Sequence, residues 1–388
     1  MLFSVVTSLL PALALAMIPP TQRAAGGLSV KVSVPKSDLA STESFVLTAA
    51  VTNNGAESLK VLKYGTILDG KLPTRSFTVT RGDVVVPFKG VKLSVSLADA
   101  DESAFVTIPA GETVTVTHDV SALYDFASLG AGAFTFAPIS SFQIAQARKA
   151  ITRRSELQLV EFEAEPVTIT VSGAISNRAL PQRRAVNICK TSSRKSFINA
   201  SLTEAKELAA TAASYISSQS SSRRSNSSDS LYTSYFGKNP SSRVISIFNA
   251  VKNEKSTTRK LSCVDTHDAC DGNVIAYTLI ATTDIYFCDI FFKEVAHSNL
   301  CKGTTVASRS VRGGTTLHEF THALSKTVDV SYGCENDQAL SDAQKIRNAD
   351  NFNCFATQVY ADTACSAGGP QDPEDPEDLA DPEFGEDV

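Results

Sequence analysis

Every one of the eight cysteines in this 388-residue chain falls between Cys189 and Cys365, and the first 188 residues contain none. That partition divides the chain before any motif is considered. An even set of cysteines confined to one half marks a disulfide-stapled domain built in an oxidising compartment. Zinc binding by thiolates is the competing explanation, but no paired C-x-x-C is present. The length itself suits two domains.

Residues 1–16 read as a secretory signal, with an apolar run through Leu9-Leu10-Pro11-Ala12-Leu13 that ends in Ala14-Leu15-Ala16. The run is too short to cross a bilayer, and no later segment reaches about 18 consecutive apolar residues, so secretion is expected and a membrane partner is not. Residues 17–184 are rich in Val, Thr, Ser and Phe. Leu28 to Val34 and Thr113 to Thr117 alternate with period two, and Asn53-Asn54-Gly55 and Pro109-Ala110-Gly111 supply turns. This pattern predicts an antiparallel β-sandwich, and without chemistry-bearing clusters it suits a binding module and a pro-domain equally. The cysteine-bearing half, 185–367, is patterned differently. Leu202 to Ser214, Val244 to Lys252 and Asp342 to Cys354 look helical, Asn273 to Leu279 and Thr283 to Phe287 look like strands, and Ser217 to Ser230 reads as a mobile loop. The class is therefore α+β, an all-β sandwich-like half followed by a mostly helical one with a small sheet. Residues 368–388 are Pro-, Asp- and Glu-rich and predict a disordered acidic tail that holds much of the formal net charge of −5.

Chemistry enters at His318-Glu319-Phe320-Thr321-His322, an H-E-x-x-H motif. On a helix, residues four apart share a face, so both imidazoles can hold one zinc ion, and Glu319 is aimed to take a proton from water. A chance match on an amphipathic helix is the bland alternative. Against it, two of only five histidines in the chain fall at this spacing around a glutamate. His118, His267 and His297 lack metal spacing and are assigned to the surface or to loops. For the third ligand, a further histidine is excluded because Ser325 and Val328 stand where an extended motif places Gly and His, and the only methionines, Met1 and Met17, cannot make a methionine turn. Glu335 follows the turn Tyr332-Gly333-Cys334 and is a poor candidate. Asp329, seven residues after His322, is better placed, although a turn or capping aspartate is the plain alternative.

The stretch Lys326-Thr327-Val328-Asp329-Val330-Ser331-Tyr332-Gly333 resembles the G-T-x-D-x-x-Y-G motif of the deuterolysin family of fungal zinc metalloendopeptidases, the aspzincins. Asn273 to Leu279, Cys288 to Phe292, Thr315 to Ala323 and Asn348-Ala349-Asp350 are similar to further landmarks of that family, in order, over residues 185–365. The resemblance implies a zincin-like catalytic domain with one zinc held by His318, His322 and Asp329, and Glu319 as general base. It implies the disulfides Cys189–Cys263, Cys270–Cys288 and Cys301–Cys365, which leaves Cys334 and Cys354 as an additional pair. It also implies a role for Asp350 in an anionic substrate pocket, with a helix-surface carboxylate as the alternative; Asn353 replaces a second acid there. Three residues depart from the family. Lys326 replaces a glycine, Cys334 replaces an aromatic residue, and Phe291 replaces a tyrosine whose hydroxyl is associated with stabilising the tetrahedral intermediate. Tyr286 or Tyr332 could supply that donor instead.

Arg183-Arg184 precedes the first cysteine and resembles a dibasic site for a kexin-like processing protease; Arg153-Arg154 and Arg223-Arg224 are other basic pairs. The expectation is a monomeric secreted peptidase made as a zymogen and acting on proteins or peptides, with no nucleic-acid partner. Asn199 and Asn226 begin N-glycosylation sequons. Two alternatives from other classes stay open: a zinc-binding pseudoprotease, motivated by Phe291, and a secreted binding protein working through its β-rich half.

Overall fold

The computed structural model describes residues 27–365 apart from 43–44, 98–99, 147–156, 163, 176–188, 190 and 222–229. The signal segment, the basic pairs Arg153-Arg154, Arg183-Arg184 and Arg223-Arg224, Asn226 and the acidic tail lie outside the described residues. Period-two patterning in the first half gives β1 (Leu28–Ser33), β2 (Asp38–Ser41), β3 (Val46–Asn53), β4 (Leu59–Leu62), β5 (Phe77–Arg81), β6 (Val84–Val85) and β7 (Val91–Val95). It continues through β8 (Phe105–Ile108), β9 (Thr113–Asp119), β10 (Gly132–Pro138), β11 (Ser141–Gln146), β12 (Gln158–Glu161) and β13 (Val167–Ala174). Twelve of these thirteen strands form three sheets, ordered β1-β3-β9, β2-β13-β10-β5-β6 and β12-β11-β4-β8. Alternate residues point inward. Phe45, Phe77, Phe126, Phe134, Phe136 and Phe142 meet in one aromatic core. A plain antiparallel sandwich is thus refined to three sheets, with β2 joining β13 in parallel.

The thirteenth strand leaves its own half. All five residues of β7 are buried, and β7 pairs antiparallel with β15 (Val274–Leu279) of the second half. With β14 (Leu261–Ser262) and β16 (Asp284–Phe287) it makes a four-stranded sheet ordered β14-β16-β15-β7. The helices are α1 (Ser192–Ser221), α2 (Ser230–Phe236), α3 (Ser241–Lys252), α4 (Arg312–Ser325), α5 (Cys334–Ala339), α6 (Asp342–Lys345) and α7 (Ala349–Ala364); α4 packs on the sheet, and α1, α3 and α7 pack on α4.

Two elements differ from the sequence pattern. Helix α1 runs well beyond Leu202 to Ser214 at both ends. Its C-terminal serines do not break it, because Ser217 Oγ donates back to the Ala213 carbonyl at 2.8 Å and satisfies its hydroxyl within the helix. The Asp342 to Cys354 helix is instead split into α6 and α7. Val328 N–H donates to the Arg347 carbonyl (2.7 Å) and Ala349 N–H to the Val328 carbonyl (3.0 Å), so the chain passes through an extended residue at Asn348. Four disulfides, Cys189–Cys263, Cys270–Cys288, Cys301–Cys365 and Cys334–Cys354, tie the second half. The three histidines assigned to the surface or loops are buried. His118 Nε2 lies 2.9 Å from the Ile67 carbonyl, His267 packs edge-on to Tyr286, and His297 sits beside Glu204 and Glu207.

Candidate metal centre

Helix α4 is buried from Gly313 to His322, which is unusual for a sequence with so many polar residues and is possible because each finds a partner. Thr315 Oγ1 donates to Glu294 Oε1 (2.8 Å), Thr316 Oγ1 to Ser201 Oγ (2.9 Å), and Thr321 Oγ1 to the His318 carbonyl (2.8 Å). Gly314 lets α7 approach, since a Cβ there would sit 2.3 Å from Asn353 Oδ1. The helix stops at Lys326, whose φ of 59° and ψ of 26° form a left-handed cap. Its N–H donates to the His322 carbonyl at 3.2 Å. This conformation explains the preference for glycine at the position, and it turns the chain so that Val328 bridges Asn348 and Asp329 returns to the face of His318 and His322.

Three donor atoms then converge. His318 Nε2 and His322 Nε2 are 3.1 Å apart, and Asp329 Oδ1 lies 3.2 and 3.0 Å from them. The edge of a tetrahedron with about 2.0–2.1 Å bonds is about 3.3 Å, so the donor set fits a zinc ion in both chemistry and spacing. His322 is hydrogen-bonded from behind, and His318 faces a carboxylate without a hydrogen bond to it. His322 Nδ1 lies 2.9 Å from the Thr327 carbonyl, which places its proton there and leaves Nε2 bare. His318 Nδ1 lies 3.5 Å from Asp350 Oδ1. Burial works against ionising Asp329, yet His322 and His318 beside it hold its carboxyl far below the usual range. A second group, Asp337, Asp350 and Cys354, also clusters, but Cys354 is bridged to Cys334 and offers no thiolate.

Glu319 is fully buried. Its Oε2 accepts from Thr278 Oγ1 at 2.6 Å, whereas Oε1 has no hydrogen-bond partner. Burial pushes its carboxyl up to about 8, within the range of a proton acceptor for neutral chemistry. Tyr332 enters from the loop after Asp329, and its hydroxyl donates to the Leu93 carbonyl at 3.0 Å.

Two expectations change. With β7 in place, Asp350 is fully buried rather than a helix-surface carboxylate: its Oδ1 accepts from Arg309 Nε (2.9 Å) and Nη2 (2.5 Å), and its Oδ2 accepts from Gly333 N–H (2.8 Å). It lies behind His318. Phe291 is buried in an aromatic cluster with Phe197, Phe287 and Phe292, where its ring is core packing. Thr278 and Arg309 had not been singled out from the sequence. Thr278 lies in a segment marked as a strand and a family landmark but without a role of its own, and Arg309, between Ser308 and Ser310, carries no pattern.

Two imidazoles and a carboxylate converging on a buried helix, with a glutamate oxygen left unpartnered beside them, define a metallopeptidase. The chain belongs to the deuterolysin metalloprotease (M35) family, whose model matches residues 1–365. A neutral protease 2 homolog of Botryotinia fuckeliana is 30% identical over 346 residues, covering 83% of this chain and 90% of its own. A neutral protease 2 homolog of Phaeosphaeria nodorum is 32% identical over 341 residues, covering 82% and 90%. A solved zinc peptidase from Grifola frondosa, 22% identical, aligns with 43% of this chain and 96% of its own, with a TM-score of 0.34. The protein is a zinc metalloendopeptidase. Among the described residues no helix is long and apolar enough to cross a membrane.

Proposed function

We propose that His318, His322 and Asp329 hold the zinc, that Glu319 is the general base, and that Tyr332 steadies the oxyanion during hydrolysis of peptide bonds in proteins. The observation that carries this reading is the three-donor triangle together with the buried Glu319, whose Oε1 has no hydrogen-bond partner and whose carboxyl interacts electrostatically with His318 and Asp329. Zinc at that triangle supplies Lewis-acid polarisation and acidifies water. Glu319 takes the proton at Oε1 while Thr278 fixes Oε2, and then delivers it to the departing amine. The Tyr332 hydroxyl, kept protonated by its burial, already donates to a peptide carbonyl and is the donor that Phe291 lacks. This supports an active peptidase over a pseudoprotease.

The finer reading is a secreted, monomeric zymogen. Residues 1–16 are its signal, 17–184 its β-rich pro-domain, 185–367 its peptidase domain and 368–388 an acidic tail. A kexin-like protease cuts after Arg184, and Asn199 and Asn226 accept glycans; Asn199 is exposed on α1. The test is to purify the secreted protein, sequence its N-terminus and follow casein hydrolysis with chelator and after zinc is restored. The expected results are a start at Ala185 and activity that is lost and regained with zinc. Asp329→Ala should lose its metal on dialysis. Hydrolysis indifferent to chelation, or full metal retention in Asp329→Ala, would overturn the assignment.

A further inference from the structure

The β7–β15 pairing lays a strand of the N-terminal half against the candidate metal centre. Strand β7 is the outermost strand of its sheet and covers the edge of β15, with Leu93 opposite Tyr277 and Lys92 opposite Thr278. Its backbone and one side chain use the site's own groups. Leu93 N–H donates to Asp329 Oδ2 (3.1 Å), and the Leu93 carbonyl accepts from the Tyr332 hydroxyl (3.0 Å) and lies 3.2 Å from His318 Nε2. The Val95 carbonyl accepts from Arg309 Nη1 (2.9 Å). The buried Lys92 ammonium donates to the Thr327 carbonyl, which also faces His322 Nδ1, and to the Lys326 carbonyl (3.4 Å), just past the end of α4. At its ends, Ile280 N–H donates to the Gly90 carbonyl (3.0 Å) and Ser96 N–H to the Asn273 carbonyl (2.9 Å).

An extended peptide recognised by an exposed strand binds in the same manner, through main-chain bonds that do not depend on its sequence. We infer that Val91–Val95 is a tethered substrate mimic, seated antiparallel on β15 with the Leu93–Ser94 peptide group at the reactive position, and that this strand is what silences the intact chain. The inference rests on the zymogen reading above and names the element that does the masking.

The test uses the full chain, zinc-loaded and uncut. A fluorescent peptide spanning Lys89–Leu97 is titrated against the natural chain and against Leu93→Pro, read by anisotropy, with casein hydrolysis followed in parallel. Proline removes the N–H that reaches Asp329 and loosens the strand. Leu93→Pro should bind the peptide at least tenfold more tightly than the natural chain and hydrolyse casein at least tenfold faster. If Leu93→Pro lacks a cooperative melt, Lys92→Gln carries the comparison, with at least threefold tighter binding expected. Equal peptide binding by the natural chain and the folded variant would overturn the inference. A gain in binding with no gain in hydrolysis would overturn the claim that this strand is what silences the intact chain.

Discussion

At the scale of single residues, the site's chemistry follows from what each buried group lacks. Glu319 has a free oxygen and an elevated pKa, so Glu319→Gln should keep its zinc yet lose about 10²–10⁴ in turnover, checked by metal content alongside casein hydrolysis. The same shift has a stability signature in the metal-free protein. A carboxyl whose pKa rises on folding from 4.5 to about 8 contributes stability below 4.5 and loses it as pH climbs through about 8. Metal-free Glu319→Gln should therefore lose less stability than the parent between pH 5 and about 9. Substitutions at Tyr332 and Phe291 should separate cleanly. Tyr332→Phe should cost about 10²–10³ in rate, whereas Phe291→Tyr should leave the rate unchanged and destabilise by about 1–3 kcal/mol, because it puts an unpaired hydroxyl into packed aromatic rings. Asp350→Asn should weaken zinc binding about 10–100-fold through His318 and cost roughly 3–5 kcal/mol, since it strands the buried Arg309 charge. A competitive chelator titration and a denaturant melt measure the two effects.

At the scale of elements, α4 was legible because its spacing is local: His318, Glu319 and His322 are brought together by helical geometry alone. The return of Asp329 is not local. It depends on a left-handed residue at Lys326 and on Val328 bridging Asn348, twenty residues downstream. Lys326→Gly relieves the cost of a side chain in that conformation and should stabilise the protein by about 1 kcal/mol without altering turnover, which a thermal melt will show. If stability fell instead, contacts of the lysine side chain would outweigh the backbone term. The burial of Asp350 has a related origin. Helix α7 is buried from Ala349 through Thr357, so a carboxylate in its first turn faces protein rather than solvent, and only the long-range arrival of Arg309 makes that tolerable. The break between α6 and α7 has the same origin, a tertiary bridge overriding a continuous helical pattern.

At the scale of the whole molecule, the division into a cysteine-free β-rich half and a stapled helical half could be read from composition, but the strand exchanged between them could not. Val91 to Val95 reads as one more strand of its own half; what sends it to β15 is a pairing between segments far apart in the chain. Other contacts join the halves. Lys63 Nζ donates to Asp271 Oδ2 (2.9 Å), Tyr64 OH to the Asp271 carbonyl (3.1 Å), and Gln344 Nε2 to Glu161 Oε1 (3.0 Å). Gln143 and the Tyr332 backbone exchange hydrogen bonds of 3.0 and 3.1 Å. Cutting the chain after Arg184 removes none of these. The cut makes dissociation possible, but the β7–β15 ladder and the buried Lys92 anchor must still be broken before the groove opens. The expected outcome is that the two pieces co-elute on size-exclusion chromatography just after a kexin-type protease has acted, and that casein hydrolysis lags behind the cleavage seen on a gel. Degrading the β-rich piece should abolish the lag. Immediate separation with full activity at the moment of the cut would mean that the covalent link, rather than the paired strand, holds the two halves together.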